Sequence, residues 1–326
     1  MRLFTWFCLV FILIPAFAAT PASWQNQSNV QDFITMMVNQ YQFSRTELVQ
    51  LFQGIDLNQQ ALDIMNRPGR PGAKPTPWGT YQKRAITPAV IKQGKVFKQD
   101  HQTQLSQASQ RYQVDTDLLV ATLGIETQYG TVTGNFPTLD TLATLAFSFP
   151  PRAAFFQSEL KAFLLLTRDH GIDPTCVQGS YAGAIGAGQF MPSSLRQYST
   201  TLPSKSNCQS LISADQAIMD IANYYHVHGW INGAVVAEPA RIVGQAYLKL
   251  PEQSHKPKLT LAQLAQYGIY PTTSLPAKTK ASFFVLNGQN GPEYWLTFHD
   301  FYVITRYNAS VNYAMAVYQL SQQIQS

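Results

Sequence analysis

The residue in this chain best placed to do acid chemistry is Glu126. It lies in the segment Asp115-Thr116-Asp117-Leu118-Leu119-Val120-Ala121-Thr122-Leu123-Gly124-Ile125-Glu126-Thr127-Gln128-Tyr129-Gly130. Asp115 suits a helix N-cap and Gly130 a C′ stop, so the segment predicts a helix of about four turns. Glu126 stands i+7 from Leu119, i+4 from Thr122 and i+3 from Leu123. Those spacings share one helix face, so the one carboxylate in the helix body falls on an apolar stripe. Burial disfavours the charged form and raises a carboxyl pKa. A raised pKa is what a general acid needs near neutral pH. A buried glutamate paired with Arg or Lys fits the same position. The helix alone leaves both readings open.

A second candidate runs from Gln178 to Ser194, with four glycines and three alanines. Such small residues let backbone approach a ligand, or another helix, closely. Ser180 and Gln189 offer neutral hydrogen-bonding groups, and Tyr181 and Phe190 offer flat apolar faces. That combination suits a sugar ring, with polar edges and an apolar face. Tight helix packing is the plainer reading. The stretch holds no phosphate-loop or dinucleotide fingerprint, and Ser180 is not in a G-x-S-x-G elbow. His226 and His228, two residues apart, face different sides of a helix and make no zinc pair. Lys256, Lys258, Lys278 and Lys280 read as solvated charge.

Three blocks, in order, resemble the family-3 lytic murein transglycosylases, the membrane-bound transglycosylase B group. Gly124-Ile125-Glu126-Thr127-Gln128-Tyr129-Gly130 resembles the block holding that family's catalytic acid. Gly179-Ser180-Tyr181-Ala182-Gly183-Ala184-Ile185-Gly186, with Gln189-Phe190-Met191-Pro192-Ser193-Ser194, resembles a second. Ile304-Thr305-Arg306-Tyr307-Asn308-Ala309-Ser310, with Tyr313-Ala314-Met315-Ala316-Val317, resembles a third. Leu139–Leu145 and Ala222–Trp230 agree more weakly.

The resemblance implies Glu126 as sole general acid and base. It places Ser180, Gln189, Tyr224, Tyr307 and Asn308 along a cleft, with Tyr129 and Arg152 as further substrate contacts. It implies cleavage of the β-1,4 bond between N-acetylmuramic acid and N-acetylglucosamine, leaving a 1,6-anhydro end. Ordinary glycosidases use two carboxylates. Here the substrate's 6-hydroxyl would replace water, so one acid suffices. Asp140, the nearest rival, reads as the N-cap of the helix through Leu142 and Leu145. A water-using muramidase and a non-catalytic murein-binding scaffold are the competing functions.

The implied fold is mainly α (α+β): a lysozyme-like helical core with an additional helical region and a small antiparallel β unit. The expected divisions are a signal peptide over 1–18, an N-terminal helical region over 19–112 and the catalytic core over 113–230. A helical region over 231–270, a β unit over 271–305 and a closing helix over 306–326 follow. Residues 28–66 read as helices and 67–79 as a loop. Residues 88–111 read as one long polar helix. Ser282–Leu286, Glu293–Phe298 and Phe301–Ile304 read as strands around the turn Asn287–Pro292. Some family members carry an acidic calcium loop after the Ser/Gln block. Here residues 200–208 contain no carboxylate, so no metal and no cofactor are expected.

Composition agrees with a neutral partner. Of 326 residues, 13% are charged and 33 are Gln, and the net charge is +5. This excludes disorder and a phosphate-tracking surface, so nucleic acid is not expected. Peptidoglycan glycan strands are the expected partner, with cell-wall synthesis proteins a further candidate. Met1-Arg2, the apolar run Leu3–Ala18 and Ala16-Phe17-Ala18 form a signal-peptide pattern, with an uncleaved anchor as the alternative. Periplasmic export follows, without a lipoprotein box at Cys8 and with no integral membrane segment in the mature chain. Two cysteines remain, Cys176 and Cys208, and an exported chain predicts a disulfide between them.

Overall fold

The structure is a computed structural model that describes residues 24–67, 76–200, 208, 211, 213–252 and 254–325. The expected signal peptide over 1–18 lies outside the described residues. No helix of the described residues is long and apolar enough to cross a membrane. The chain divides into two units, ending at Ile55 and beginning at Asp56.

The first unit contains helices α1 (Ser28–Tyr41) and α2 (Arg45–Gln53). Val30, Phe33, Ile34 and Met37 are its buried face, at the i, i+3, i+4, i+7 spacing of an amphipathic helix. Ser44 caps α2 by accepting from the Glu47 N–H.

The second unit is built around a helix buried on all sides. It opens with α3 (Gln59–Asn66), α4 (Trp78–Ala85), α5 (Pro88–Asp100), α6 (Gln102–Tyr112) and α7 (Thr116–Thr127). The long helix expected over 88–111 is therefore two. The chain breaks at His101, whose ring lies 4.1 Å from that of Phe97 and whose Nδ1 lies 2.6 Å from Asp215. In α7 every residue from Leu118 to Gly124 is buried. The expected stripe is thus a continuous apolar cylinder, wrapped by α5, α6 and two later helices over 214–227 and 311–325.

A two-residue strand β1 (Phe136–Pro137) leads into α8 (Thr138–Ser148), then α9 (Ala153–His170). Asp140 sits inside the first turn of α8, with Pro137 in the cap position it was expected to fill. Strand β2 (Gln178–Gly179) pairs antiparallel with β1, and α10 (Pro192–Tyr198) and α11 (Ala214–Val227) follow. Cys176 and Cys208 form a disulfide, with Cα atoms 6.0 Å apart.

The region 231–270, expected to be helical, supplies three strands: β3 (Ala237–Ile242), β4 (Leu259–Thr260) and β5 (Ile269–Pro271), with α12 (Leu261–Ala265) between the last two. Two are too short to show alternation, and Pro239 interrupts the third. With β6 (Lys280–Gly288) and β7 (Gly291–Thr297) they form an antiparallel sheet in the order β4-β6-β7-β3-β5. Its apolar side has a core of its own, including Leu261, Leu264, Ile269, Phe283 and Leu296.

Phe301–Ile304, expected as strand, lies in helix α13 (His299–Tyr307). Phe301, Val303 and Ile304 are all buried, so tertiary packing overrides their β propensity. Helix α14 (Val311–Gln325) closes the chain and packs along α7.

Candidate active site

The site forms where α7 ends. The helix stops at Thr127, and Gln128 (φ 49°), Tyr129 (φ 62°) and Gly130 (φ 84°) are consecutive left-handed residues. The stop falls two residues before Gly130, the expected position. The Gln128 and Tyr129 N–H groups donate to the Gly124 and Leu123 carbonyls, closing the last turn. Tyr129 folds back against Gly124, where a Cβ would lie 2.7 Å from the ring. Its hydroxyl donates to the Val90 carbonyl at 2.8 Å and its side chain is buried. Tyr129 therefore packs α5 on α7, with its hydroxyl engaged in that contact.

Glu126, one residue before that turn, keeps part of its surface open while protein walls its carboxyl group. The Tyr313 hydroxyl donates to Oε1 at 2.6 Å. Burial pushes the Glu126 pKa up to about 7, against the lowering effect of the Tyr313 hydrogen bond. No second carboxylate contributes to that shift. The charge of Glu126 is felt by Tyr81, Tyr225, Tyr307 and Tyr313. Burial is the main cause of the raised pKa of each, so all four phenols stay neutral donors. The salt-bridged alternative for Glu126 is not what forms: its partner is a phenol.

The Gly-rich loop is tied to the same turn. Thr127 Oγ1 donates to the Ala187 carbonyl at 2.7 Å and accepts from the Gly130 N–H at 2.9 Å. The Tyr307 hydroxyl donates to the Gly188 carbonyl. Gln189 is left-handed (φ 50°), and its amide nitrogen donates to Thr133 and Gly186 carbonyls. Its side-chain oxygen has no partner among the described residues. Ser180 Oγ accepts from the Ala184 and Ala182 N–H groups at 3.1 and 3.4 Å, which leaves its own proton to donate. The buried carboxylate of Glu159 on α9 receives the Ser193 N–H and hydroxyl at 2.9 and 2.7 Å, anchoring the loop's far end.

Tyr224 joins the aromatic wall, its ring 4.9 Å from that of Tyr307 and 4.0 Å from that of His228. Its hydroxyl is committed to the Arg306 carbonyl at 2.5 Å, so the ring face is what it offers. Asn308 follows Tyr307 as an exposed residue without a side-chain partner among the described residues. Arg152 stands apart. Its guanidinium carbon lies 4.1 Å from the Phe155 ring centre and 5.3 Å from that of Phe156, and neither ring belongs to the group around Glu126. His226 and His228 each bond a backbone carbonyl through Nδ1. Tyr313, Thr127, Tyr81 and Tyr225 were missing from the expected site. Tyr313 and Thr127 stood in the resembling blocks, but only the fold aims them at the acid and the loop.

A family model described as the transglycosylase SLT domain matches residues 25–322. The chain belongs to that family. The membrane-bound lytic murein transglycosylase B of Escherichia coli (strain K12) is 39% identical over 305 residues, covering 92% of this chain and 83% of that one. The catenated lytic transglycosylase SltB1 of Pseudomonas aeruginosa superposes with a TM-score of 0.86 at 35% identity, over 93% and 98% of the two chains. The Escherichia coli lytic transglycosylase Slt35, solved in complex with calcium, has a TM-score of 0.83 at 40% identity, over 93% and 94%. The mainly helical fold with a lysozyme-like core and a small antiparallel unit is the fold of this family.

Calcium does not fit the donors of this family member. Residues 200–208 carry no carboxylate, and 201–207 lie outside the described residues. Asp220, buried on α11, is already filled by Ser199 Oγ (3.1 Å), Thr200 N (2.9 Å) and Gln216 Nε2 (2.8 Å). Donors on every side suit a carboxylate that holds a loop, and give a cation no oxygen cage.

Proposed function

We propose that this chain is a peptidoglycan lytic transglycosylase, exported to the periplasm, with Glu126 as both acid and base. The observation that carries the reading is one isolated carboxyl group, held near pKa 7 and oriented by Tyr313. A glycosidase that uses water needs a second carboxylate about 5–9.5 Å away, and among the described residues none contributes to the Glu126 shift. Tyr313 occupies Oε1, so the acidic proton belongs on Oε2.

That proton goes to the glycosidic oxygen as the C1–O bond of N-acetylmuramic acid breaks, and the leaving N-acetylglucosamine departs with its 4-hydroxyl restored. The 2-acetamido oxygen, oriented by the Asn308 amide, shields C1. The Glu126 carboxylate then takes the proton of the 6-hydroxyl, and O6 bonds to C1 to give the 1,6-anhydro ring. Glu126 ends protonated, ready for another turn. Neutral donors at Ser180 and the open oxygen of Gln189 line the glycan path, and Tyr224 and Tyr307 supply apolar faces. Arg152 serves a more distant part of the strand.

Mass spectrometry of murein digests tests this. Wild-type protein releases 1,6-anhydromuropeptides, and Glu126→Gln releases at least a hundredfold less. Reducing-end products from the wild type would make it a hydrolase. Undiminished anhydro product from Glu126→Gln would remove Glu126 from the mechanism. Binding of murein without any cleavage would make it a scaffold.

A further inference from the structure

The sheet unit carries a cavity of about 490 Å³ that the proposed reaction does not use. Its volume lies within the range of small-ligand sites. Val235, Leu275 and Phe298 give it an apolar lining, to which Thr279, Lys256 and Lys280 add polar side chains. Val235 is 42% exposed, an apolar side chain left open to water.

No carboxylate lines the cavity to balance the two lysines, and the Lys256 ammonium lies 5.9 Å from the Tyr302 ring centre. The ion pairs among the described residues use Lys98, His101, Arg168 and Arg196, so neither lysine has one. Asp300 is close in sequence to the lining residue His299, but its buried carboxylate accepts the Ile231 N–H at 3.1 and 3.3 Å. His299 is itself bonded through Nε2 to the Gly229 carbonyl.

Both lysines sit on braced backbone. Lys280 opens β6 opposite Thr260 of β4. The Lys256 carbonyl accepts from Ser254 Oγ at 2.8 Å, and the Ser254 carbonyl accepts from Ser282 Oγ of β6 at 2.8 Å. Two exposed lysines beside apolar side chains favour an anion with small apolar groups attached. A bare phosphate would leave those apolar side chains uncovered. We propose that this cavity binds the carboxylate end of a short peptide with small apolar side chains. The assignment to the peptide side chains of murein rests on the proposed function. The ligand chemistry rests on the cavity alone.

The site is remote from Glu126. Ala234 and Val235 also line a neighbouring cavity that reaches Asp115 and Leu118, at the opposite end of α7 from Glu126. Glu126 lies eleven helical steps beyond Asp115, about 17 Å. Peptide held there would register the strand without touching the reacting bond.

The test uses diacetyl-L-lysyl-D-alanyl-D-alanine and its C-terminal amide, titrated calorimetrically into the full chain and into the Lys256→Gln/Lys280→Gln double variant. Both lysines are exposed, and a matching melting temperature confirms the variant's fold. The expected result is saturable binding of the acid, at least tenfold weaker binding of the amide, and at least tenfold weaker binding by the variant. Cleavage of peptide-free glycan is unchanged in the variant, while KM on peptide-bearing murein rises at constant kcat. No saturable binding by the wild type, equal binding of acid and amide, or full binding by the variant would overturn the proposal. If the wild type binds peptide yet cleaves no glycan, the enzymatic reading fails and the peptide site stands.

Discussion

Glu126 holds its proton to about pH 7 because protein replaces water around its carboxyl group. As the acid, it must be protonated before the bond breaks, so kcat/KM should fall as pH rises through about 7. Tyr313→Phe removes the donor that favours the carboxylate, raises the pKa further and moves that limb to higher pH. A pH–rate profile for both proteins reads the shift directly. The same burial has a stability consequence. With a folded pKa near 7 and an ordinary value of 4.5, ionised Glu126 weakens the fold, and the loss develops as pH rises from about 4.5 to 7. Glu126→Gln should therefore gain stability over the wild type by roughly 2 kcal/mol between pH 5 and pH 8. Urea melts at the two pH values check it. At this scale the acid itself was legible, because a lone carboxylate in an apolar run is conspicuous. Its partner Tyr313 lies 187 residues away and carries no local signal of the contact.

Among elements, the Gly-rich loop owes its shape to close backbone approaches. Gly134 has φ 95°, and a Cβ there would stand 2.1 Å from the Gly179 carbonyl oxygen. Gly134→Ala should cost on the order of 3 kcal/mol and loosen the β1–β2 pair that leads into Ser180. Thermal melts and murein turnover measure the two effects. Glu159→Ala leaves the Ser193 N–H without its acceptor and should cost about 1–3 kcal/mol. The helices of 28–66 were legible because their apolar spacing is regular. Phe301–Ile304 was not, because aromatic and β-branched residues name a strand when only packing on α14 makes them helical. The strands within 231–270 were hidden for a different reason. They are short and irregular, and β4 and β3 are held by β6 and β7, which come later in the chain, while β5 pairs on β3.

The whole molecule shows how order along a chain becomes proximity. Glu126, the Gly-rich loop and the Tyr307–Tyr313 segment come from three blocks spread over nearly two hundred residues, and their resemblance to one family made the fold class readable before any contact was. The disulfide closes a 33-residue loop between Cys176 and Cys208, with a chain-entropy contribution of roughly 3–4 kcal/mol. A Cys176→Ser/Cys208→Ser variant should melt roughly 4–6 °C lower, and reductant should lower the wild type by the same amount while leaving the variant unmoved. An equal fall in both would assign the loss to something other than the cross-link.

The four phenols that feel the charge of Glu126 also make the acid visible. A tyrosine ring changes its near-ultraviolet absorption when a charge appears beside it, and Tyr313 touches the carboxylate directly. The protein should thus carry a built-in optical indicator. A small difference spectrum should develop with a midpoint near pH 7 without any substrate present. It should be absent from Glu126→Gln and displaced to higher pH when a ligand fills the cleft and drives out water.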